Sequence, residues 1–400
     1  MDYQFSKMMD NFKSSAVRDI LKLTQGKSIV SFAGGLPAEE LFPIDAVRAA
    51  FERVFDQGKS VLQYGITEGY LPLREALVER LERKNIHVTP DDMLLTTGSQ
   101  QAIDLLARVY IDPGDVVFVQ QPTYLAALQV FQSRGVRIVS IPGDENGMKM
   151  DELLHLIKLH APKLVYISPT FSNPTGYVWS LERRLRLLQL CREYRVLILE
   201  DDPYGELQYG SDEHYPSILS LDEHPHNASV VYTSTFSKIV APALRTGWAV
   251  GDKRIIQNMA RAKQASDLHS SSLDQQGIFQ LLKHFDLDGH IATIRQEYER
   301  RMKQMTSQLE ASMDNRGLHW NEPKGGMFLW MQLPNGYIAH DLLRVAVQEG
   351  VAFVPGASFY ADAPQINTLR LNFTHANADQ MTLGIQRFAS ALEKYEVALK

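Results

Sequence analysis

Cysteine is almost missing from this chain: its 400 residues hold one, Cys191. An internal disulfide is therefore excluded. Cys191 falls in the helical-looking run LRLLQLCREY, which suits a buried, inert thiol better than a nucleophile. A surplus of positive charge is missing too. Lysine plus arginine number 41 against 47 acids, a net charge of −6, which gives no electrostatic footprint for nucleic acid or an anionic membrane. No apolar run approaches the roughly 20 residues that span a bilayer. The N-terminal MDYQFSKMMD carries acids and lacks an apolar stretch, so no secretory signal is expected and the cytoplasm is the expected compartment. There is no Walker-A lysine, no G-x-G-x-x-G, no H-E-x-x-H and no cysteine cluster, so neither a nucleotide nor a metal is indicated. His224 and His226, in EHPHN, read as a surface turn. No internal repeat, low-complexity tract or flexible linker is visible.

What is present is ordinary globular composition, 44% hydrophobic and 22% charged, long enough for two domains with large cores. Residues 1–43 read as an arm with a short helix capped at Ser14 or Ser15, followed by the Gly34–Gly35 pair, which allows close approach to a ligand. From Ile44 helices alternate with short Val/Ile/Leu-rich strands: MLLTTG, VVFVQ, RIVSIP, KLVYIS, VLILED, SVVYTS and GWAVG. Strands apolar along their whole length are buried on both faces, which predicts a mostly parallel sheet with flanking helices. A long charged helical region begins near Asp286, and the tail after it reads as a smaller α+β domain. The expected division is 1–43 as arm and part of the small domain, 44–285 as the large domain and 286–400 as the small C-terminal domain.

Several strand ends carry chemistry. In VVYTSTFSKIVAPALRTGWAV one lysine, Lys238, stands among Thr235, Ser237 and other short hydroxyls, with Arg245 seven residues on. A lysine near other cations or in apolar surroundings loses its proton readily and can form a Schiff base. Hydroxyls and an arginine beside it can hold a phosphate. The same residues would also suit a plain surface loop. TTGSQQAIDLL places Gly98, Ser99 and Gln100 at a helix N-terminus, where free N–H groups and the dipole favour an anion, or where a common cap would do. Tyr124 opens the helix after VVFVQ, placed to stack on a flat ring or to pack on the sheet edge. SPTFSNPTG is a turn after KLVYIS. VLILEDDPYGEL places Glu200, Asp201 and Asp202 at the end of an apolar strand, where successive residues point to opposite faces. Arg370, inside the alternating strand LRLNF, needs an anion, and its planar fork fits a carboxylate.

Taken together these stretches resemble pyridoxal-phosphate (PLP) aminotransferases of fold type I, over nearly the whole chain. The resemblance rests on Thr235-x-Ser237-Lys238 with Arg245 before Gly247, on Asn173-Pro-Thr-Gly, on Asp201-x-x-Tyr204 and on Arg370, in the family's order. It implies that Lys238 binds the cofactor covalently and acts as general base. Asp201 would face the pyridine nitrogen and keep it protonated. Tyr204 and Asn173 would bond to the phenolic oxygen, and Tyr124 would stack on the ring. Ser99, Gln100, Thr235, Ser237 and Arg245 would hold the phosphate, and Arg370 with Asn173 the substrate carboxylate. Tyr64, in QYGITEGY, resembles the stretch that crosses to a partner subunit and touches its phosphate, which implies a homodimer.

SFAGGLPAEELFP with the preceding helix resembles the 2-aminoadipate and kynurenine aminotransferase branch. That resemblance implies an amino donor such as 2-aminoadipate, glutamate, or an aromatic, branched or aliphatic amino acid, and a 2-oxo acid such as 2-oxoglutarate as acceptor. Gly35 would line the substrate site, and Arg18 would meet an acidic side chain. Another PLP reaction type, β-lyase or decarboxylase, would use the same cofactor groups. A non-catalytic regulator would need a DNA-binding domain ahead of the main sheet.

Overall fold

The computed structural model describes residues 1, 3–6, 8–9, 20, 28–210, 213–223, 229–313 and 316–399. Arg18, the capping residues Ser14 and Ser15, and His224 and His226 lie outside the described residues.

The apolar strands assemble into one eight-stranded sheet. They are β2 (Met93–Thr96), β3 (Val116–Gln121), β4 (Arg137–Asp144), β5 (Gly147–Met148), β6 (Leu164–Ile167), β7 (Leu197–Asp201), β8 (Val230–Thr235) and β9 (Gly247–Val250). Their spatial order is β2-β9-β8-β7-β6-β3-β4-β5. The central run from β8 through β7, β6 and β3 to β4 is parallel. β9 is antiparallel to both neighbours, β2 and β8. Two antiparallel pairings restore direction, so β2 runs the same way as β8. The C-terminal ends of β2, β3, β6, β7 and β8 therefore open on one edge, where open α/β sheets bind their ligands.

Helices cover both faces. Leu94, Val117, Val119, Leu164, Tyr166, Leu199 and Val231 pack on one side with α1 (Ser99–Tyr110) and with the helix at Lys253–Asp267. The alternate residues, Met93, Leu95, Phe118, Val165, Ile198, Val230 and Tyr232, join the larger core on the other side. This period-two division is what a doubly covered strand requires. Cys191 is buried in that larger core, and burial pushes its thiol pKa up.

A second, four-stranded antiparallel sheet has the order β10-β11-β14-β13, from β10 (His319–Trp320), β11 (Phe328–Gln332), β13 (Val354–Pro355) and β14 (Thr368–Asn372). It follows the 27-residue helix Leu287–Met313. The N-terminal strand β1 (Val30–Ser31) pairs in parallel with β12 (Val351–Ala352), and Asn372 N–H donates to the Phe32 carbonyl over 2.8 Å. The chain after β1 is thereby held beside the second sheet and delivered to the strand-end edge of the first.

Candidate active site

One cavity of about 310 Å³ opens at that edge. Its walls come from segments up to 335 residues apart in the chain, from Gly35 to Arg370, and include Lys238, Asp201, Tyr204, Asn173 and Tyr124.

Lys238 follows β8, where Thr235 caps a short 3-10 turn by accepting from Ser237 N–H. Its ammonium donates to the Gly35 carbonyl over 2.9 Å. Burial, then the charges of Arg245 and Arg370, lower its pKa to about 8. A large fraction of this amine is thus neutral at mildly alkaline pH, as a nucleophile or proton acceptor must be.

The acids at the end of β7 alternate as strand geometry demands. Glu200 accepts from Ile218 and Leu219 N–H at 2.9 and 3.1 Å. Asp202 accepts from the Tyr232 hydroxyl at 2.8 Å. Asp201 alone of the three lines the cavity. It is 3% exposed, and its Oδ2 accepts from the Tyr166 hydroxyl at 2.8 Å. Its Oδ1 is buried and has no hydrogen-bond partner among the described residues. Burial raises its pKa to about 7. A buried carboxylate oxygen left unpaired is costly unless a ligand completes it.

Across the cavity, β2 runs through a tight turn into α1. Gly98 takes φ +74, and a Cβ there would lie 2.5 Å from Arg245 Nη2. Gly247 is equally constrained, since its Cβ would meet Gly98 C at 2.7 Å and Ser99 N at 2.8 Å. The Ser99 and Gln100 N–H groups have no acceptor within the helix they begin. Arg245 donates to the Thr97 carbonyl and to Ser237 Oγ, both at 3.3 Å. Ser237 in turn bonds to Thr235 Oγ1 at 2.9 Å, and Thr235 donates to the Thr246 carbonyl at 3.0 Å. The result is a small cup of amides, hydroxyls and one guanidinium, which fits a phosphate.

Arg370, on the inner strand β14 of the second sheet, is 2% exposed. Its Nη1 donates to Asn173 Oδ1 at 2.6 Å and its Nη2 to the Ala33 carbonyl at 2.5 Å. Its Nε has no hydrogen-bond partner among the described residues. Phe328 and Phe359 flank the guanidinium, their ring centroids 4.3 and 5.0 Å from Cζ. Desolvation pulls its pKa down to about 10, yet it stays cationic at neutral pH. Asn173 is also within reach of the Tyr204 hydroxyl, whose pKa burial raises. Tyr124 stands at the N-terminus of the next helix, its pKa pushed up to about 12 by burial.

The structure thus gathers Gly35, Ser99, Gln100, Tyr124, Asn173, Asp201, Tyr204, Thr235, Ser237, Lys238, Arg245 and Arg370 around one space. Tyr64 does not line it. That residue is 78% exposed and packs edge-on against His269, ring centroids 5.8 Å apart. Sequence reasoning missed Tyr166 and Phe328, which lie within apolar strands, and Phe359, in the 3-10 turn Gly356–Phe359. It also missed Lys263, buried behind the turn, whose ammonium donates to Gln101 and Ser270 at 2.7 and 2.8 Å. A lysine on a helix otherwise rich in polar residues gives no sign of being buried.

Residues 28–388 match the family described as aminotransferase class I and II. The chain belongs to that family. This class I and II aminotransferase is an enzyme of fold type I, and pyridoxal 5'-phosphate is its cofactor. It is 40% identical to aromatic-amino-acid aminotransferase 1 of Thermococcus litoralis, over 98% of this chain and 95% of the relative. Among solved structures it is similar to the alpha-aminoadipate aminotransferase LysN of Thermus thermophilus, complexed with N-(5'-phosphopyridoxyl)-L-leucine. That likeness has a TM-score of 0.92 at 37% identity, covering 99% of this chain and 98% of the other. The kynurenine aminotransferase of Pyrococcus horikoshii, solved with PMP, also superposes with a TM-score of 0.92, at 41% identity over 98% of this chain and 97% of the other. The residues of this chain fit the cofactor on their own chemistry: an unpaired buried carboxylate oxygen, an anion cup that a Cβ would fill, and a lysine of lowered pKa face one cavity.

Proposed function

We propose that the cavity is the PLP site of a ping-pong aminotransferase that moves an α-amino group from an amino acid to a 2-oxo acid. The observation that carries the assignment is the pairing of Lys238, with its lowered pKa, and Asp201 Oδ1, unpartnered, in one buried space. Bound PLP supplies an aldehyde that condenses with amines and a protonated ring that takes up the electron pair left on a substrate carbon. Lys238 binds the cofactor and serves as the base that moves the substrate's Cα proton. Asp201 keeps the ring nitrogen protonated. Ser99, Gln100, Thr235, Ser237 and Arg245 hold the phosphate. Asn173 and Tyr204 face the phenolic oxygen, and Tyr124 covers the ring. Arg370 grips the substrate carboxylate, with Asn173 orienting one arm of the guanidinium and the Gly35 segment closing the wall.

The donors in this reading are 2-aminoadipate, glutamate, and aromatic or aliphatic amino acids, with 2-oxoglutarate as an acceptor. Relatives named for aromatic amino acids, aminoadipate and kynurenine support that range. Arg18 is the residue proposed to meet an acidic side chain. The protein acts as a homodimer in which Tyr64 reaches the neighbouring phosphate; its exposure, with Leu62 at 68% and Ile66 at 54%, supports this. The division at residues 43 and 285 sets a large PLP-binding domain against a small one. The cytoplasm is the compartment of this reading; no helix among the described residues is long and apolar enough to cross a membrane.

A panel of amino donors against 2-oxoglutarate and pyruvate, followed by product analysis and the visible spectrum, tests the reading. Release of a 2-oxo acid with stoichiometric amination of the acceptor is expected. Pyruvate and ammonia, or carbon dioxide, as the products would overturn it. Lys238→Ala should lose at least about 10³-fold in turnover and the absorbance of lysine-bound cofactor.

A further inference from the structure

Tyr166 lies on β6 directly opposite Leu199 of β7. Asp201 is two residues beyond Leu199, on the same face of the sheet. The phenol therefore runs up the face towards the strand end and meets the carboxylate from below. Its hydroxyl donates to Asp201 Oδ2 at 2.8 Å. Tyr166 is fully buried, its ring edge-on to Phe131 with centroids 5.8 Å apart. Desolvation and the neighbouring carboxylate raise its pKa well above the usual value, so the hydroxyl keeps its proton and acts as a donor. With Oδ2 taken, Oδ1 is left for a ligand, and among the described residues it has no hydrogen-bond partner.

We propose that Tyr166 is a positioning residue for Asp201: its hydroxyl fixes the carboxylate and favours its anionic form, so that Oδ1 is presented to the cofactor's ring nitrogen. The inference rests on the reading of the cavity as the PLP site. A carboxylate buried at this depth prefers to be neutral, and the first effect of burial on Asp201 is in that direction. Hydrogen bonding to the charged form opposes it. Tyr166 supplies the one such bond recorded for the Asp201 side chain among the described residues. Without it, both oxygens would be buried unpaired, and the proton would shift from the ring towards the carboxylate.

The test uses the apoenzyme and two probes: PLP, and its 1-deaza analogue, in which CH replaces the ring nitrogen. Titrations of the wild type and of Tyr166→Phe give Kd for each. The phenylalanine keeps the ring and its packing, so only the donor is lost. Kd for PLP should rise about tenfold, the effect of one hydrogen bond to a charged group, while Kd for the deaza analogue stays level or falls. Introduced into an Asp201→Asn background, Tyr166→Phe should leave the ratio of the two Kd values unchanged. Equal changes for both probes, or no change for either, would overturn the proposal, as would a ratio that still shifts in the Asp201→Asn background. A wild-type protein that binds neither probe would instead overturn the reading of the cavity itself.

Discussion

Arg370 Nη1 and Asn173 Oδ1 lie 2.6 Å apart, although 197 residues separate them in the chain. One stands on the inner strand β14 of the second sheet and the other in the turn after β6. Their bond joins the two sheets at the point where the substrate carboxylate is proposed to bind. Arg370→Lys keeps the charge but loses the planar fork. It should lower kcat/KM for amino acids by about 10²-fold, the effect of one or two charge-assisted hydrogen bonds, with PLP affinity nearly unchanged. Steady-state kinetics with a cofactor titration decide it. An unaltered kcat/KM would take the carboxylate away from Arg370.

Lys238 offers a second expectation. Lys238→Ala should lose at least about 10³-fold in turnover together with the lysine-bound absorbance, while the apoprotein melts close to the wild-type apoprotein. Normal turnover in this variant would leave the site without its base.

The stability of the apoenzyme should depend on Asp201 in a defined direction. Its pKa is about 7 in the folded chain, against about 4 for an unstructured aspartate. Between those values the folded state holds a proton that the unfolded state has lost. Its contribution is therefore fully present below about pH 4, falls as pH rises to about 7, and is level beyond. Asp201→Asn should flatten part of that slope and stabilise the apoprotein at pH 8 by roughly 1–3 kcal/mol, while weakening PLP binding. Glu200, also near pKa 7, keeps the remaining slope. Urea denaturation at pH 5 and pH 8 gives the comparison, and equal slopes in both proteins would contradict it.

Gly98→Ala probes the anion cup. The glycine adopts φ +74, and a Cβ would intrude 2.5 Å from Arg245 Nη2. The substitution should strain the turn by about 1–3 kcal/mol and push the guanidinium aside. Kd for PLP should rise about tenfold or more. An unchanged Kd would exclude this turn from phosphate binding.

Arg18→Ala addresses donor choice. If Arg18 meets an acidic side chain, kcat/KM for glutamate and 2-aminoadipate should fall about tenfold relative to leucine or phenylalanine. Equal ratios before and after would remove Arg18 from substrate selection.

By itself the sequence determined the alternation of helix and buried strand, and with it a mostly parallel sheet with flanking helices. Continuous apolar runs and strand-end turns are local properties, so VVFVQ, KLVYIS and VLILED could be read without a partner strand. Asp201 and Arg370 stood out as charged groups in apolar strands, whereas Lys238 and Asn173 lie in polar turns past strand ends and took their roles from the order of motifs shared with the family. Only the tertiary structure decided which oxygen of Asp201 is left open, that Gly35 holds the Lys238 ammonium by its carbonyl, and that Phe328 and Phe359 enclose Arg370. Tyr166 and Lys263 were invisible in the sequence because a buried hydroxyl or ammonium declares itself through its partners. Those partners lie on other strands and helices, placed there by sheet register and long-range packing, which no local pattern encodes.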